Sequence, residues 1–88
     1  MSGPYRVKIT ARAERDLGKL PEKMAAACLE FIFGPLADNP YRLGKALRSE
    51  LAGLHSARRG DYRVIYAIFP NEGVLEVAHI DRRSHVYR

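Results

Sequence analysis

The chain has 88 residues, of which 47% are hydrophobic and 28% charged, a composition typical of one folded domain and not of a disordered chain. Fifteen lysines and arginines against ten acidic residues give a net charge of +5, which favours a polyanion or an acidic protein as partner. No apolar run approaches the roughly 20 residues of a membrane span, and no signal segment is evident. We therefore expect a single cytoplasmic domain over residues 1–88. A lone cysteine, Cys28, excludes an internal disulfide.

The N-terminal segment predicts one strand followed by a short helix. Residues 5–10 alternate apolar and polar side chains, the pattern of a strand with one buried and one solvated face. The hydroxyl of Thr10 can cap a helix after this strand. The apolar side chains of that helix recur at i, i+4 and i+7, which makes it amphipathic; they are Ala13, Leu17 and Leu20.

A second and longer helix follows a tight connection. Pro21 is tolerated in a first helical turn, because its missing N–H would have no partner there, and apolar residues are dense over 22–37. Gly34-Pro35 lies inside this span, so we expect an irregularity near Phe33 and not a straight helix. Asp38-Asn39-Pro40 then ends the helix.

The second half of the chain predicts a three-stranded meander. Residues 41–54 form a connector, in which a helical turn would place Lys45 and Arg48 side by side. Strands are expected over three ranges separated by turn residues, at 54–58, 62–69 and 74–80. In the last strand, alternation predicts one shared face for Leu75, Val77 and His79.

Together these elements predict an α+β fold of order β-α-α-β-β-β. The first strand must join the meander to form a four-stranded, mainly antiparallel sheet, and both helices bury their apolar rows on one of its faces. The other face is left open. An open face that carries arginines is the expected place for function.

Arg63 is the least expected residue of the central strand. It shares a face with Ile65, Ala67 and Phe69 in a run of β-branched and aromatic side chains. A guanidinium stays charged in a protein, so it must remain near water or meet an anion. One interpretation is a functional anion contact. The alternative is an ion pair with a carboxylate on the next strand, such as Glu76.

The C-terminal tail clusters side chains that can contact phosphate or bases, namely Arg82, Arg83, His85, Tyr87 and Arg88. RNA cleavage without a metal needs a base near the ribose 2′-hydroxyl, cations on the phosphorane charge and an acid for the leaving oxygen. Arginine suits the second role. Tyr87 can act as the base where neighbouring cations such as Arg63 or Arg83 favour the phenolate. The alternative is that Tyr87 anchors the C-terminus by packing.

A metal site is not expected, because His55, His79 and His85 do not have a ligand spacing such as H-x-x-x-H. His79 is predicted to pack in or beside the sheet. His85 is a candidate second proton carrier, since imidazole titrates near neutrality. No cofactor is predicted.

Four segments carry a family resemblance: Leu51-Ala-Gly-Leu54, Ser56-Ala-Arg-Arg-Gly-Asp-Tyr-Arg-Val-Ile-Tyr66, Ile80-Asp-Arg-Arg-Ser-His-Val-Tyr87, and the opening strand with Ala13-Glu-Arg-Asp-Leu-Gly-Lys-Leu-Pro21. In these segments the chain resembles the RelE/ParE superfamily of bacterial toxins. The resemblance implies the microbial RNase-like fold. For the RelE branch it also implies a type II toxin that cleaves mRNA in the ribosomal A site. In that branch the 2′-hydroxyl attacks without a metal and leaves a 2′,3′-cyclic phosphate.

The resemblance also implies site residues. Arg63 resembles the arginine that stabilises the transition state, Tyr87 the C-terminal tyrosine proposed as general base, and Arg83 an arginine of the same terminal motif. Asp81 stands where the best-known member has a cation, and the paired lysines of the first meander strand are replaced by Leu54 and Ser56. The expected RNA-binding residues are Lys45, Arg48, Arg58, Arg59, Arg82 and His85.

The partners implied are a cognate antitoxin encoded alongside, the ribosome and mRNA, with no membrane. The toxin-antitoxin complex is expected to bind operator DNA through the antitoxin. Two alternatives stay open because one scaffold hosts several activities. The first is a ParE-like poison of DNA gyrase without nuclease activity. The second is an inactive module whose basic groove only meets its antitoxin.

Overall fold

The computed structural model describes residues 4–82, which form a five-stranded sheet with helices against one face. The elements in chain order are β1 (Arg6–Ile9), α1 (Ala11–Gly18), α2 (Glu22–Phe31), α3 (Pro40–Leu43), β2 (Lys45–Ala46), β3 (His55–Arg59), β4 (Tyr62–Phe69) and β5 (Val74–Arg82). The strand order is β1-β5-β4-β3-β2. β1 is parallel to β5, and the other neighbouring pairs are antiparallel. The predicted α+β fold is confirmed, with one strand more than expected. In this part of the chain, no helix is long and apolar enough to cross a membrane.

The additional strand, β2, occupies part of the predicted connector. Lys45 pairs with Ser56 of β3, and Arg48 has the extended backbone angles φ −123° and ψ 177°. The two cations therefore do not lie side by side on a helical turn, and that prediction is wrong. A two-residue strand has too few positions for alternation to reveal it.

The predicted irregularity in the second helix is confirmed. After α2 the backbone widens into a π-helical segment over Ile32–Leu36. Pro35 lies inside this segment. A proline has no N–H to donate, and its ring clashes with the carbonyl four residues earlier, so a regular α-helical turn is not available. Asn39 then caps α3 by accepting a hydrogen bond from the Arg42 N–H at 3.3 Å.

The core lies between the helices and one face of the sheet. Val64 and Tyr66 of β4 are fully buried there, with Cys28 of α2 beside them in the same cluster. Cys28 is thus a small apolar side chain of the core, and burial raises the pKa of its thiol to about 11. The Tyr66 hydroxyl donates a hydrogen bond to the Pro40 carbonyl at 2.6 Å. This bond fixes the start of α3 to the middle of the sheet.

β5 contains a bulge that changes which side chains face the core. Val77 lies opposite Tyr66, but His79 lies opposite Ile65, so Ala78 is an extra residue in the ladder. Val77 is fully buried on the helix-bearing face. Because of the bulge His79 lies on the open face with Ile65. The prediction that His79 shares a face with Val77 is wrong.

Helix α1 is tied to the part of β5 that lies beyond β1. β1 pairs with β5 as far as Val77, so later N–H groups on that edge need other partners. The Asp16 carboxylate accepts a hydrogen bond from the Ile80 N–H at 2.9 Å and lies 2.9 Å from His79 Nδ1. The other end of α1 is fixed by the predicted Thr10 cap, whose side chain accepts a hydrogen bond from the helix backbone.

The lowered pKa of the Asp16 carboxyl group predicts that the protein loses stability at acidic pH. Burial alone would raise the pKa of its carboxyl, but the bonds from Ile80 and His79 and the charges of His79 and Arg12 lower it. Between the folded and unfolded pKa values the unfolded chain binds more protons. Stabilisation is therefore complete above the ordinary value of about 3.9 and is lost as the pH falls through the folded value. In urea unfolding, the free-energy difference between wild type and Asp16→Asn should shrink below about pH 4. If this free-energy difference stayed the same below about pH 4, the lowered pKa of Asp16 would not contribute to stability.

Candidate functional site

A row of charged side chains crosses the open face of the sheet. Arg63 of β4 lies between Arg58 of β3 and Asp81 of β5 in the strand register. Glu76, the carboxylate suggested from the sequence as an ion-pair partner, lies opposite Ala67 instead. The register corrects that interpretation, because the carboxylate nearest to Arg63 across the ladder is Asp81.

The adjacent row on the same face is formed by four successive strands. It contains Lys45 of β2, Ser56 of β3, Ile65 of β4 and His79 of β5. Lys45 is directly opposite Ser56, one of the two positions where the family lysines are missing. A cation from a neighbouring strand therefore stands next to that position.

A cavity of about 520 Å³, which we call the basic groove, opens beside these rows. Its cationic lining residues are Arg42, Lys45, Arg58 and Arg63. None of the described residues that line it is acidic. Four cations around one open groove raise the local positive potential, which attracts a polyanion such as a nucleic acid backbone.

A second cavity, of about 340 Å³, adjoins the basic groove and is called the apolar cavity below. Its apolar lining residues are Leu47, Leu51, Leu54, Ile65 and Ala78, and its charged or polar ones include Arg12, Arg63, His79 and Asp81. Arg63 lines both cavities. The guanidinium is thus placed between a surface suited to phosphates and one suited to flat apolar groups.

The structure brings three of the predicted site residues together in the basic groove: Lys45, Arg58 and Arg63. Arg59 is not among them. Its guanidinium carbon lies 5.2 Å from the centre of the Phe31 ring, so its side chain packs against α2. Adjacent residues in a strand point to opposite faces, and Arg58 and Arg59 therefore face different partners.

The remaining predicted residues are not in the groove or lie outside the described residues. Arg82 is opposite Tyr62, which is buried on the helix-bearing face. Arg48 is exposed and lines neither cavity. The residues outside the described range are Arg83, His85 and Tyr87.

Three basic residues that line the cavities were not predicted as site residues from the sequence. Arg42 lies in the last turn of α3, and the Asn39-Pro40 capping signal could have placed it on a helical turn. Arg12 lies on the polar side of α1. His79 depends on the bulge in β5, which has no evident sequence signal.

The buried tyrosines are poor candidates for proton transfer. Burial raises the pKa of Tyr62 to about 12 and that of Tyr66 to about 12. Both phenols lie on the helix-bearing face with the core, so they remain protonated and away from the cavities. Within residues 4–82, no group of three or more His, Cys, Asp or Glu side chains is placed to hold a metal ion.

Comparison with known proteins decides the family. A family model described as the ParE toxin of type II toxin-antitoxin systems, parDE, matches residues 7–87. The chain belongs to this family. Within the RelE/ParE superfamily it is a RelE-type toxin of a type II toxin-antitoxin system. The expected family and fold are therefore confirmed.

Two related toxins and one solved structure support the assignment of this chain as a RelE-type toxin. Toxin RelE of Mycobacterium tuberculosis is 66% identical over 85 residues, which cover 97% of this chain and 88% of that toxin. Toxin RelG of the same organism is 48% identical, with 97% of this chain and 98% of that toxin covered. The crystal structure of the M. tuberculosis toxin-antitoxin complex RelBE2 contains a chain with a TM-score of 0.90 and 48% identity. That match covers 93% of this chain and 94% of the solved one.

Proposed function

We propose that this RelE-type toxin is an endoribonuclease that cleaves mRNA in the ribosomal A site and so inhibits translation in the cytoplasm. The observation that carries the proposal is the basic groove, in which Arg63 is accompanied by three further cations, Arg42, Lys45 and Arg58, and no described lining residue is a carboxylate. Such a groove can follow a phosphate backbone and deliver one phosphate to the guanidinium. The whole chain, residues 1–88, acts as one toxin domain in this proposal.

The proposed chemistry is metal-independent attack of the ribose 2′-hydroxyl on the adjacent phosphate. Arg63 stabilises the charge that develops on the phosphorane oxygens. By resemblance, Arg83 assists it and Tyr87 takes the proton from the 2′-hydroxyl. Lys45, opposite Ser56 in the register, supplies positive charge in place of a missing family lysine. Asp81, opposite Arg63 in the register, orients the guanidinium at the position where the best-known member carries a cation.

We propose a cognate antitoxin as the partner that blocks this site. The 48% identical chain in the RelBE2 structure belongs to a toxin-antitoxin complex. The open face here offers a basic groove and an adjoining apolar cavity, which suit an amphipathic segment with acidic and apolar side chains. Binding of operator DNA is assigned to the antitoxin of the complex.

Primer extension on translated mRNA after toxin induction tests the proposed activity. New cuts within codons of translated message support the nuclease. The family model also carries the ParE name, so inhibition of DNA gyrase is the second candidate. Intact message together with gyrase-dependent DNA breaks would reject the nuclease and favour that candidate. Growth arrest with neither effect would reject both.

Two adjacent arginines provide a matched test of the groove. Arg58→Ala should weaken binding of mRNA-programmed ribosomes several-fold and, if Arg58 contacts one phosphate, reduce the salt dependence of that binding by about one counterion. Arg59→Ala should leave binding and its salt dependence unchanged, because Arg59 packs on Phe31 at the other face. Binding is measured at several salt concentrations. Equal effects of the two variants would show that the groove is not the RNA-binding surface.

A further inference from the structure

A histidine held by a carboxylate lies on the open face near Arg63. His79 Nδ1 is 2.9 Å from Asp16 Oδ2, and the same oxygen accepts a hydrogen bond from the Ile80 N–H at 2.9 Å. The backbone bond fixes the carboxylate in place. Because an ionised carboxylate only accepts hydrogen bonds, the network assigns a hydrogen to Nδ1 of the imidazole.

This assignment leaves Nε2 of His79 available for other chemistry. The side chain is 27% exposed and lines the apolar cavity together with Arg63. In the register His79 is opposite Ile65 and Arg63 is opposite Asp81, so His79 and Arg63 are diagonal neighbours on one face of the β4–β5 pair. A phosphate held by Arg63 would therefore have the imidazole at its side.

We propose that His79 is the general acid of RNA cleavage, an inference that rests on the proposed nuclease function. As the 2′-oxygen bonds to phosphorus, its proton passes to the general base of the proposed mechanism. The bond between phosphorus and the 5′-oxygen breaks, and the proton on Nε2 of the His79 imidazolium passes to the leaving 5′-oxygen. One proton is taken and one is given, so the step is balanced. Afterwards the base releases its proton to solvent and the imidazole of His79 takes one up.

Asp16 is a positioning residue in this scheme. It holds the Nδ1–H of His79, fixes the plane of the ring and balances the charge of the imidazolium, as the buried carboxylate does in catalytic triads. The charged groups that face His79 are Arg12 and Asp16 from α1, Arg63 from β4 and Asp81 from its own strand. In a purely structural role the pair would only attach α1 to β5, and the effect of its variants would not depend on the leaving group of the substrate.

The decisive experiment uses a substrate with a better leaving group. Single-turnover cleavage is measured on mRNA-programmed ribosomes, with the 5′-oxygen of the scissile bond either unchanged or replaced by sulfur. A thiolate leaves without protonation, so loss of a general acid matters little for the sulfur message. His79→Asn keeps an amide donor for Asp16 at the position of Nδ1 and removes Nε2. It should cut normal message on the order of a hundredfold more slowly and cut the sulfur message near the wild-type rate.

Two further variants separate acid catalysis from other roles. Arg63→Ala should stay slow on both messages, because charge stabilisation is needed with either leaving group. Asp16→Asn should slow cleavage of normal message less than His79→Asn does. His79→Gln, which also lacks an acid, is measured in parallel, and thermal unfolding identifies which variants are folded.

The outcomes distinguish this inference from the function on which it rests. If folded His79 variants cut normal message at the wild-type rate, or if sulfur does not restore them, His79 is not the acid although the toxin remains a nuclease. If the wild type cuts neither message, the nuclease proposal and the role of His79 both fail.

Discussion

Replacing Arg63 with alanine is expected to reduce mRNA cleavage on the order of a hundredfold, the usual cost of one lost charge contact to a transition state. Arg63 lies at the centre of the charged row and lines both cavities. Its guanidinium can approach two phosphate oxygens at once, and this geometry is unavailable to a neutral side chain. The loss should appear in the rate of single-turnover cleavage on programmed ribosomes, with affinity for the ribosome changed far less.

Arg63→Lys is the matched variant for this prediction. Lysine keeps the charge but loses the planar fork, so it should recover part of the rate and not all of it. Both variants should remain folded, because the side chain lies on the open face and not among the core residues. A folded Arg63→Ala toxin that cuts message at the wild-type rate would remove this residue from the mechanism.

Gly44→Ala is expected to lower the free energy of unfolding by about 3 kcal/mol, through overpacking and a lost buried hydrogen bond. A methyl group at this position would overlap the Tyr66 hydroxyl and lie 2.9 Å from the Ser56 carbonyl oxygen. Tyr66 is fully buried, and its hydroxyl is engaged with the Pro40 carbonyl at 2.6 Å. The ring therefore cannot move away without leaving a buried polar group unpaired.

Gly18→Ala serves as the control for this substitution. A methyl group at Gly18 has no heavy atom within 4 Å other than those of its neighbours and its own helix. Alanine favours helix over glycine by about 1 kcal/mol, so this variant should be as stable as the wild type or slightly more stable. Urea unfolding measures both. If the two variants were equally stable, the Tyr66 side chain would be able to move away from a methyl group at position 44 at little cost in free energy.

Much of the fold could be predicted because the spacing of apolar side chains along the chain is regular. Alternation over residues 5–10 predicts β1, and the β-branched run from Tyr62 predicts β4 to its observed end at Phe69. Pro35 predicts the break in the second helix for a local steric reason. In each case a pattern within a few residues is sufficient, since the structure it specifies depends on short-range geometry.

The features that could not be predicted depend on contacts between residues that are distant in the sequence. β2 is paired with β3, which is distant in the chain from the connector's own sequence signals, and the bulge at Ala78 lies where β5 contacts both β4 and α1. Alternation counted across that bulge gives the wrong face for His79. The same limit applies to the site. Strand geometry predicts that the side chains of Arg58 and Arg59 point to opposite faces of the sheet. The pairing of β3 with β4 decides which of the two reaches the basic groove.

The strand order has a consequence for how the toxin is made. β5, the last of the described strands, lies between β1 and β4, and Arg6–Ile9 pairs with residues 74–77. A chain leaves the ribosome N-terminus first, so β1 has no strand partner until residues 74–77 have been synthesised. A premature stop codon upstream of Val74 should therefore release a fragment in which β1 lacks its parallel partner and is not joined to the rest of the sheet.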